Sequence, residues 1–346
     1  MQPSNGLPNY KDIDIAAVPY LVAMSKAGVY VDTQALVPLR EDLNRKAKEA
    51  ESNAWLQFGT QFNLNSPKQL ADLLFNQLHL PTARITRTGF STDNDVLETL
   101  KEYHFGIPYI IEHRRVTKLL GTYVDGLPKW VHGDGRIHPR WNYTRVHTGR
   151  LSAANPNVQN QPTRTDEGRL VRRAYSVQPS DPKRVFLKID LSQIELKVLA
   201  HVSQDQRMLE IFRSGGDLHT STAMAAFSIP APEQVTPRQR RDAKVINFGV
   251  PYGLGANGLL SSIPPEEFDQ SVHTIGWANS FMATHKVLYP RVWIWIDEQH
   301  AFTRRNGYIE DIFGRRRYVP EIMSASKPMR LAAERASQNH GIQAAA

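Results

Sequence analysis

No cysteine occurs among the 346 residues, which excludes disulfide staples and any cysteine-ligated zinc site. Its absence says little about compartment, because a reducing cytosol only permits it. Long apolar runs are also missing. None approaches the ~18 residues that a membrane span needs. The opening MQPSNGLPNYKDID has no apolar segment of the secretory-leader kind. No internal repeat or low-complexity tract is visible. Acidic residues are in deficit, 34 against 42 lysines and arginines, which leaves a net charge of +8. That balance favours a polyanionic partner and says nothing about fold. These absences predict a soluble, intracellular protein with no membrane partner; a cytoplasmic monomer is the expectation, which the absences themselves do not decide. The composition, 41% hydrophobic and 22% charged, is that of a folded chain. Its length is too great for one core and suggests two or three domains.

The richest stretch is QRRDAKVINFGVPYG, Gln239 to Gly253. Written as a helix, it sets Arg240, Lys244, Asn247 and Phe248 within an arc of about 100°. Ala243, Val245 and Ile246 form an ordinary packing face opposite. Two cations a turn apart, then an aromatic ring, suit a ligand with a polyanionic tail and a flat head. A nucleoside triphosphate has that shape. Arg offers forked hydrogen bonds, Lys a point charge and Phe a stacking surface. On this helix alone, a solvated basic face explains the pattern equally well.

Along the chain, residues 15 to 31 read as a short helix broken at Gly28, then a strand-like VYV. Asp32-Thr33 caps a long helix over 34–58, and Asn65-Ser66-Pro67 opens another through Leu78. Thr82 to Thr92 reads as a flexible tip. Helix resumes at Thr92-Asp93 and again over 107–120, with His113, Arg114, Arg115 and Lys118 predicted exposed. From Arg136 the composition turns strand-like, including RVFLKID ending on Asp190. Helices return over 193–212, Asp217 caps the next one, and a pair near 266–305 carries Trp277, Trp293 and Trp295 as core. A hairpin around Phe313-Gly314 and a helix from Lys327 close the chain. Asp190, leaving a strand in a basic protein, is a natural seat for Mg²⁺, and phosphoryl transfer on two metals needs at least two such carboxylates.

DLSQIELKVLAH (Asp190–His201) resembles motif A of the family A DNA polymerases, the bacterial DNA polymerase I type, and RRDAKVINFGVPYG (Arg240–Gly253) resembles their motif B. TGRLSAANPNVQNQPTRTDEGRLVRRAY (Thr148–Tyr175), IFGRRRYVP (Ile312–Pro320) and AAERASQNHGIQ (Ala332–Gln343) match the same family in order. The resemblance covers nearly the whole chain. It implies an α+β right-hand fold with helical thumb, antiparallel-sheet palm and helical fingers. The expected division is a palm-edge segment over 1–34, a thumb over 35–132, a palm with motif A over 133–214, fingers with motif B over 215–328 and the start of a returning palm helix over 329–346.

The resemblance further implies a DNA-directed DNA polymerase that adds dNMP to a primer 3′-hydroxyl and releases pyrophosphate, with two Mg²⁺ ions in the complete enzyme. Its partners are primer-template DNA and dNTPs, in replication or repair. Asp190, with the Leu191 carbonyl, becomes a metal ligand, and Leu191 stands where the family usually has Tyr. Glu195 becomes the steric gate against a 2′-hydroxyl. Gln193, Arg240, Lys244 and His219 serve the incoming nucleotide, with Lys244 also catalytic. Phe248 stacks by sugar and base and goes with discrimination against dideoxynucleotides. Tyr252 stacks at the template position. Lys118, Arg150, Gln159, Asn160, Arg164, Asn339 and Gln343 touch primer-template DNA. Such minor-groove contacts check pair shape without reading sequence.

Two departures bear on these expectations. The His-Asp-Glu turn that supplies the family's second carboxylate follows the Gln343 position by some tens of residues, and no His-Asp dipeptide occurs here. The sequence therefore reads as a fragment ending before that motif. A non-catalytic primer-template binding protein is the alternative. Pro251 lacks an N–H and clashes with the Asn247 carbonyl, which predicts a kink just before Tyr252.

Overall fold

The computed structural model describes residues 10–346 except 82–83, 87–88, 163–164, 179–182 and 264–267. The chain divides into two compact units. The first comprises 19–142 and 152–187, the second 1–18, 143–151 and 188–346.

The first unit is built on helices with short antiparallel ribbons. Helix α1 (Ala16–Ala27) stops at Gly28 and leads into β1 (Val29–Tyr30). Gly28 has φ +60°, and a Cβ there would lie 2.6 Å from the Ile137 carbonyl, so only glycine fits this corner. After it come α2 (Val37–Phe58), α3 (Pro67–Ala71), the ribbon of β2 (Ile85–Thr86) and β3 (Gly89–Phe90), α4 (Asn94–Leu100) and α5 (Ile107–Leu119). The Ser66 hydroxyl accepts from the Gln69 N–H, and Pro67 follows at N1, as the sequence pattern predicts. β4 (Arg136–Ile137) pairs with β1, and β5 (Arg140–Asn142) pairs with β6 (Ser152–Ala154), both antiparallel. Helix α6 (Asp166–Arg173) completes the unit.

Two cores hold it. One gathers Leu36, Leu39 and Leu43 with Val116, Leu120 and Val171, and the other gathers Leu70, Leu74, Leu97, Ile107 and Ile110. Each fully buried Leu or Ile contributes about 1.5–3 kcal/mol. His113 is not exposed as expected but 6% accessible. It lies on the same stripe as Ile107, Ile110 and Val116, which recur at the spacing of a buried face. Arg114 is likewise half-buried and donates to the carbonyls of Leu64 and Thr92.

The second unit is mainly helical: α7 (Ile194–Ser203), α8 (Gln206–Arg213), α9 (Leu218–Ala226), α10 (Pro237–Gly249), α11 (Ala256–Ser261), α12 (Ile275–Leu288), α13 (Pro290–Asn306) and α14 (Lys327–Gln343). The hairpin of β7 (Tyr308–Glu310) and β8 (Arg316–Tyr318) turns at Phe313-Gly314, as its sequence predicts. One large core joins Leu196, Leu199, Leu218, Ala243, Ile246, Phe281, Tyr289, Val292 and Trp295. Of the three tryptophans, Trp295 is buried while Trp277 and Trp293 pack against its margin.

Residues 184–190 do not form the expected strand. An extended segment becomes a strand only against a neighbour that takes its hydrogen bonds. Among the described residues no strand pairs with this one, and Val185, Leu187 and Ile189 stand about 80% exposed (82%, 81% and 79%).

Candidate functional site

Helix α10 is fixed at its start by local chemistry. The Thr236 hydroxyl accepts from the Gln239 N–H, the Gln239 side chain accepts from the Thr236 N–H, and Pro237 takes N1. Ala243 and Ile246 enter the core, which turns Arg240 and Lys244 to solvent and leaves Phe248 half-buried. Asn247 departs from the expected arc. It is 1% exposed, donates to the Thr222 hydroxyl, and sits beside His219. Thr222 also meets the Tyr289 hydroxyl at 2.8 Å, so this buried polar set ties α9 to α10.

His219 lies within that set, 2% exposed, with its ring 5.6 Å from that of Phe248. The Asn247 amide donates to Nδ1 at 3.1 Å, so the ring proton sits on Nε2. Burial pushes the imidazole down to about 4 despite the opposing charge of Asp217. His219 is therefore a neutral donor near pH 7 and not a third cation. His285, buried on α12, is pushed down to about 3 by burial.

Both histidines bind a proton more readily unfolded than folded. Their stabilisation is complete above the usual value of 6.5 and is lost as pH falls toward 4. Each changes stability by at most about 1.4 kcal/mol per pH unit, or about 3 kcal/mol together between pH 7 and 5. Thermal melts should show the second unit losing roughly 10 °C over that interval. A melting temperature flat from pH 7 to 5 would contradict this.

Before α7, Gln193 takes a left-handed backbone conformation, φ 53° and ψ 32°. Its side-chain N–H₂ donates to Asp217 at 3.2 Å. Asp217 caps α9 by accepting from the Thr220 N–H and hydroxyl, and also accepts from Arg240 Nε at 2.7 Å. Burial alone would raise its carboxyl, but the donors from Arg240 and Thr220 outweigh it and leave the group at about 2. The turn after Asp190 and the cationic face of α10 thus meet at one carboxylate. Sequence reading saw Asp217 only as a helix cap.

Glu195, on the first turn of α7, accepts from Arg150 and from the Tyr252 hydroxyl. Pro251 does end the α-helix: α10 stops at Gly249 and a 3₁₀ turn covers Val250–Tyr252. Tyr252 nonetheless reaches Glu195, and Gly253, φ +75°, closes the turn in a conformation that favours glycine. The Gln338 amide of α14 holds this turn, donating to the Pro251 carbonyl at 2.8 Å, while its oxygen faces His300 Nε2 at 2.9 Å. No local pattern marks Gln338 for this task. Lys244, Phe248, Tyr252, Gly253, Leu254 and Arg335 line a cavity of about 570 Å³.

Asp190 is exposed, three residues before Gln193, and has no ion-pair partner among the described residues. The Leu191 carbonyl accepts the Ile194 N–H at 3.2 Å. Asn339 lies on α14 with its side-chain oxygen buried and unpaired among the described residues, and Gln343 ends that helix. Three described nucleic-acid candidates fall in the first unit. Lys118 is exposed on α5 and lines a cavity of about 760 Å³ with Arg114, Asn65 and Thr92. The Gln159 side chain accepts from the Ala153 N–H at 2.7 Å, and the Asn160 carbonyl accepts from Tyr123. Arg164 lies outside the described residues. No described helix is long and apolar enough to cross a membrane.

The family model for DNA polymerase family A matches residues 33–346. A thermostable DNA polymerase I of Thermus caldophilus is 40% identical over 342 residues, which is 97% of this chain and 39% of that protein. DNA polymerase I of Bacillus subtilis (strain 168) is 36% identical across 100% of this chain and 38% of its own length. Among solved structures, the POL domain of Pol1 from M. smegmatis, in complex with DNA primer-template and dNTP, superposes with a TM-score of 0.83 at 37% identity. That match covers 96% of this chain and 57% of the other. The chain thus spans under two fifths of these two curated relatives.

Proposed function

The chain belongs to DNA polymerase family A, and on that premise we propose that it receives a deoxynucleoside triphosphate on the cationic face of α10 for template-directed addition to a primer. The observation that carries this reading is the link Gln193–Asp217–Arg240, which brings the turn after Asp190 to the helix bearing Arg240, Lys244 and Phe248. Arg240 and Lys244 then face the polyanionic tail, with Nε2–H of His219 as a neutral donor. Phe248 offers its ring to sugar and base. Glu195, held by Arg150 and Tyr252, is a fixed carboxylate at the position the family uses to refuse a 2′-hydroxyl. Fixing a group on two partners keeps it from rotating away from an unwanted ligand.

The chemistry is attack of a primer 3′-oxygen on the α-phosphorus, with pyrophosphate leaving. Little covalent work falls to the protein, which positions the reactants and neutralises charge. Asp190 suits Mg²⁺: it is an exposed carboxylate with no competing cation among the described residues, and such ions are held by one or two carboxylates with water and phosphate completing the shell. The Leu191 carbonyl keeps one lone pair beyond its bond to Ile194. When bound, the ion supplies Lewis-acid polarisation of the phosphate. Lys118, Arg150, Gln159, Asn160, Asn339 and Gln343 are the proposed primer-template contacts.

A second reading is primer-template binding without catalysis, for which the excess of 42 lysines and arginines over 34 acidic residues is enough. Primer extension by the natural protein carrying this sequence separates the two, beside DNA binding measured over a salt series. The polymerase reading expects template-directed extension and binding that falls steeply from 50 to 200 mM salt, roughly 10³-fold or more for six or more phosphate contacts. Salt-sensitive binding without extension would leave only the second reading. Salt-independent binding would remove both.

A further inference from the structure

Asp217 has more to do than cap a helix. Its Oδ1 takes the Gln193 amide at 3.2 Å, and its Oδ2 takes the Thr220 hydroxyl at 2.6 Å and Arg240 Nε at 2.7 Å. A cap needs only the Thr220 N–H. Apart from the Thr220 hydroxyl on the same helix, the remaining donors come from two other places in the chain, the turn before α7 and the exposed face of α10.

The way Arg240 is held is informative. Asp217 engages it through Nε, at the base of the guanidinium, and is its one ion-pair partner among the described residues. Among the described residues the two terminal nitrogens make no hydrogen bond. Those nitrogens form the fork that grips phosphate oxygens in pairs. An unanchored arginine on an exposed helix face samples many rotamers, and ordering it costs the ligand that freedom. One tied at Nε is already oriented when the ligand arrives.

We propose that Asp217 is a positioning residue for the triphosphate, anchoring Arg240 by Nε so that its terminal nitrogens are presented to phosphate, and tying Gln193 to the same point. The inference rests on the proposed reading of α10 as the triphosphate-binding face. A carboxylate near a polyanion also repels it, but that repulsion acts at longer range and is screened by salt, whereas the anchor acts through contact hydrogen bonds.

The test is equilibrium binding of dATP and of inorganic tripolyphosphate, each with Mg²⁺, to the full chain at about 0.15 M salt, where exposed charges are screened beyond ~8 Å. The proteins are wild type, Asp217→Ala, Asp217→Asn, Arg240→Ala and the double variant Asp217→Ala/Arg240→Ala. Asp217→Ala should weaken both ligands roughly 10-fold, the size expected for losing one charge-assisted anchor. Asp217→Asn keeps an acceptor oxygen and should fall between it and wild type. In the Arg240→Ala background, Asp217→Ala should change affinity less than about twofold, because the two residues act as a unit.

Unchanged or tighter binding by Asp217→Ala overturns the proposal. So does an equal loss in both backgrounds, which is the signature of a cap alone. Thermal melts read the cap separately, and if Asp217→Ala does not fold, Asp217→Asn decides by the same criteria. Failure of wild type to bind either ligand would fall on the function reading itself, and with it on this inference.

Discussion

Replacing Asp190 by alanine is expected to lower primer extension by the natural protein roughly 10³-fold or more, with primer-template binding changed less than about twofold. Asp190 is exposed, lacks an ion-pair partner among the described residues and packs against no core residue, so its loss should not disturb folding. What disappears is a hard oxygen donor at the turn that Gln193 ties to Asp217 and Arg240. Stabilisation of phosphate charge by a metal at that position is worth several kcal/mol, and each 1.36 kcal/mol is about tenfold in rate. Asp190→Asn should be nearly as severe, because an amide oxygen carries no charge. Extension within threefold of wild type would remove Asp190 from the site, and a parallel loss of DNA binding would point to misfolding instead.

Lys244→Ala should be the second largest effect, about 10²- to 10³-fold in kcat, the usual cost of removing one donor from a site where negative charge develops. The Lys244 side chain is exposed, one turn beyond Arg240, and lines the cavity that Phe248 and Tyr252 share. Its ammonium has three donors and a flexible stem, so it can follow charge that builds on the departing pyrophosphate. Lys244→Arg should recover only part of the loss, because a planar fork places its donors differently. A change confined to KM for the nucleotide would show that Lys244 binds substrate and transition state equally.

Local signals in the sequence were legible where the structure depends on neighbouring residues. Ser66 and Asp217 each cap the helix their spacing predicts, because a cap is settled within four residues. The hairpin at Phe313-Gly314 and the corner at Gly28 follow the same logic. The α+β class was legible too, through motifs that resemble a family to which the chain belongs. Mistakes arose where partners are distant in sequence. Residues 184–190 read as a strand because their composition suits one, yet ladder partners cannot be counted from one segment. Polarity puts His113 outside and the helical arc puts Asn247 with the cations, although each lies among residues that recur at a buried spacing.

At the site, the cations and the ring of α10 could be found by helical arithmetic. The couplings between elements could not. Nothing near Asp217 announces Arg240, 23 residues on, and nothing near Gln338 announces Pro251, 87 residues back. Such pairs depend on how whole surfaces meet.

The Gln338 amide lies 2.8 Å from the Pro251 carbonyl and 3.5 Å from that of Val250. An amide set between two successive carbonyls braces the short turn from a distant helix, at the place where Pro251 has already removed the N–H that would carry the α-helix on. Removing that amide in Gln338→Ala would strand the buried Pro251 carbonyl without its side-chain partner, at a cost of about 1–3 kcal/mol.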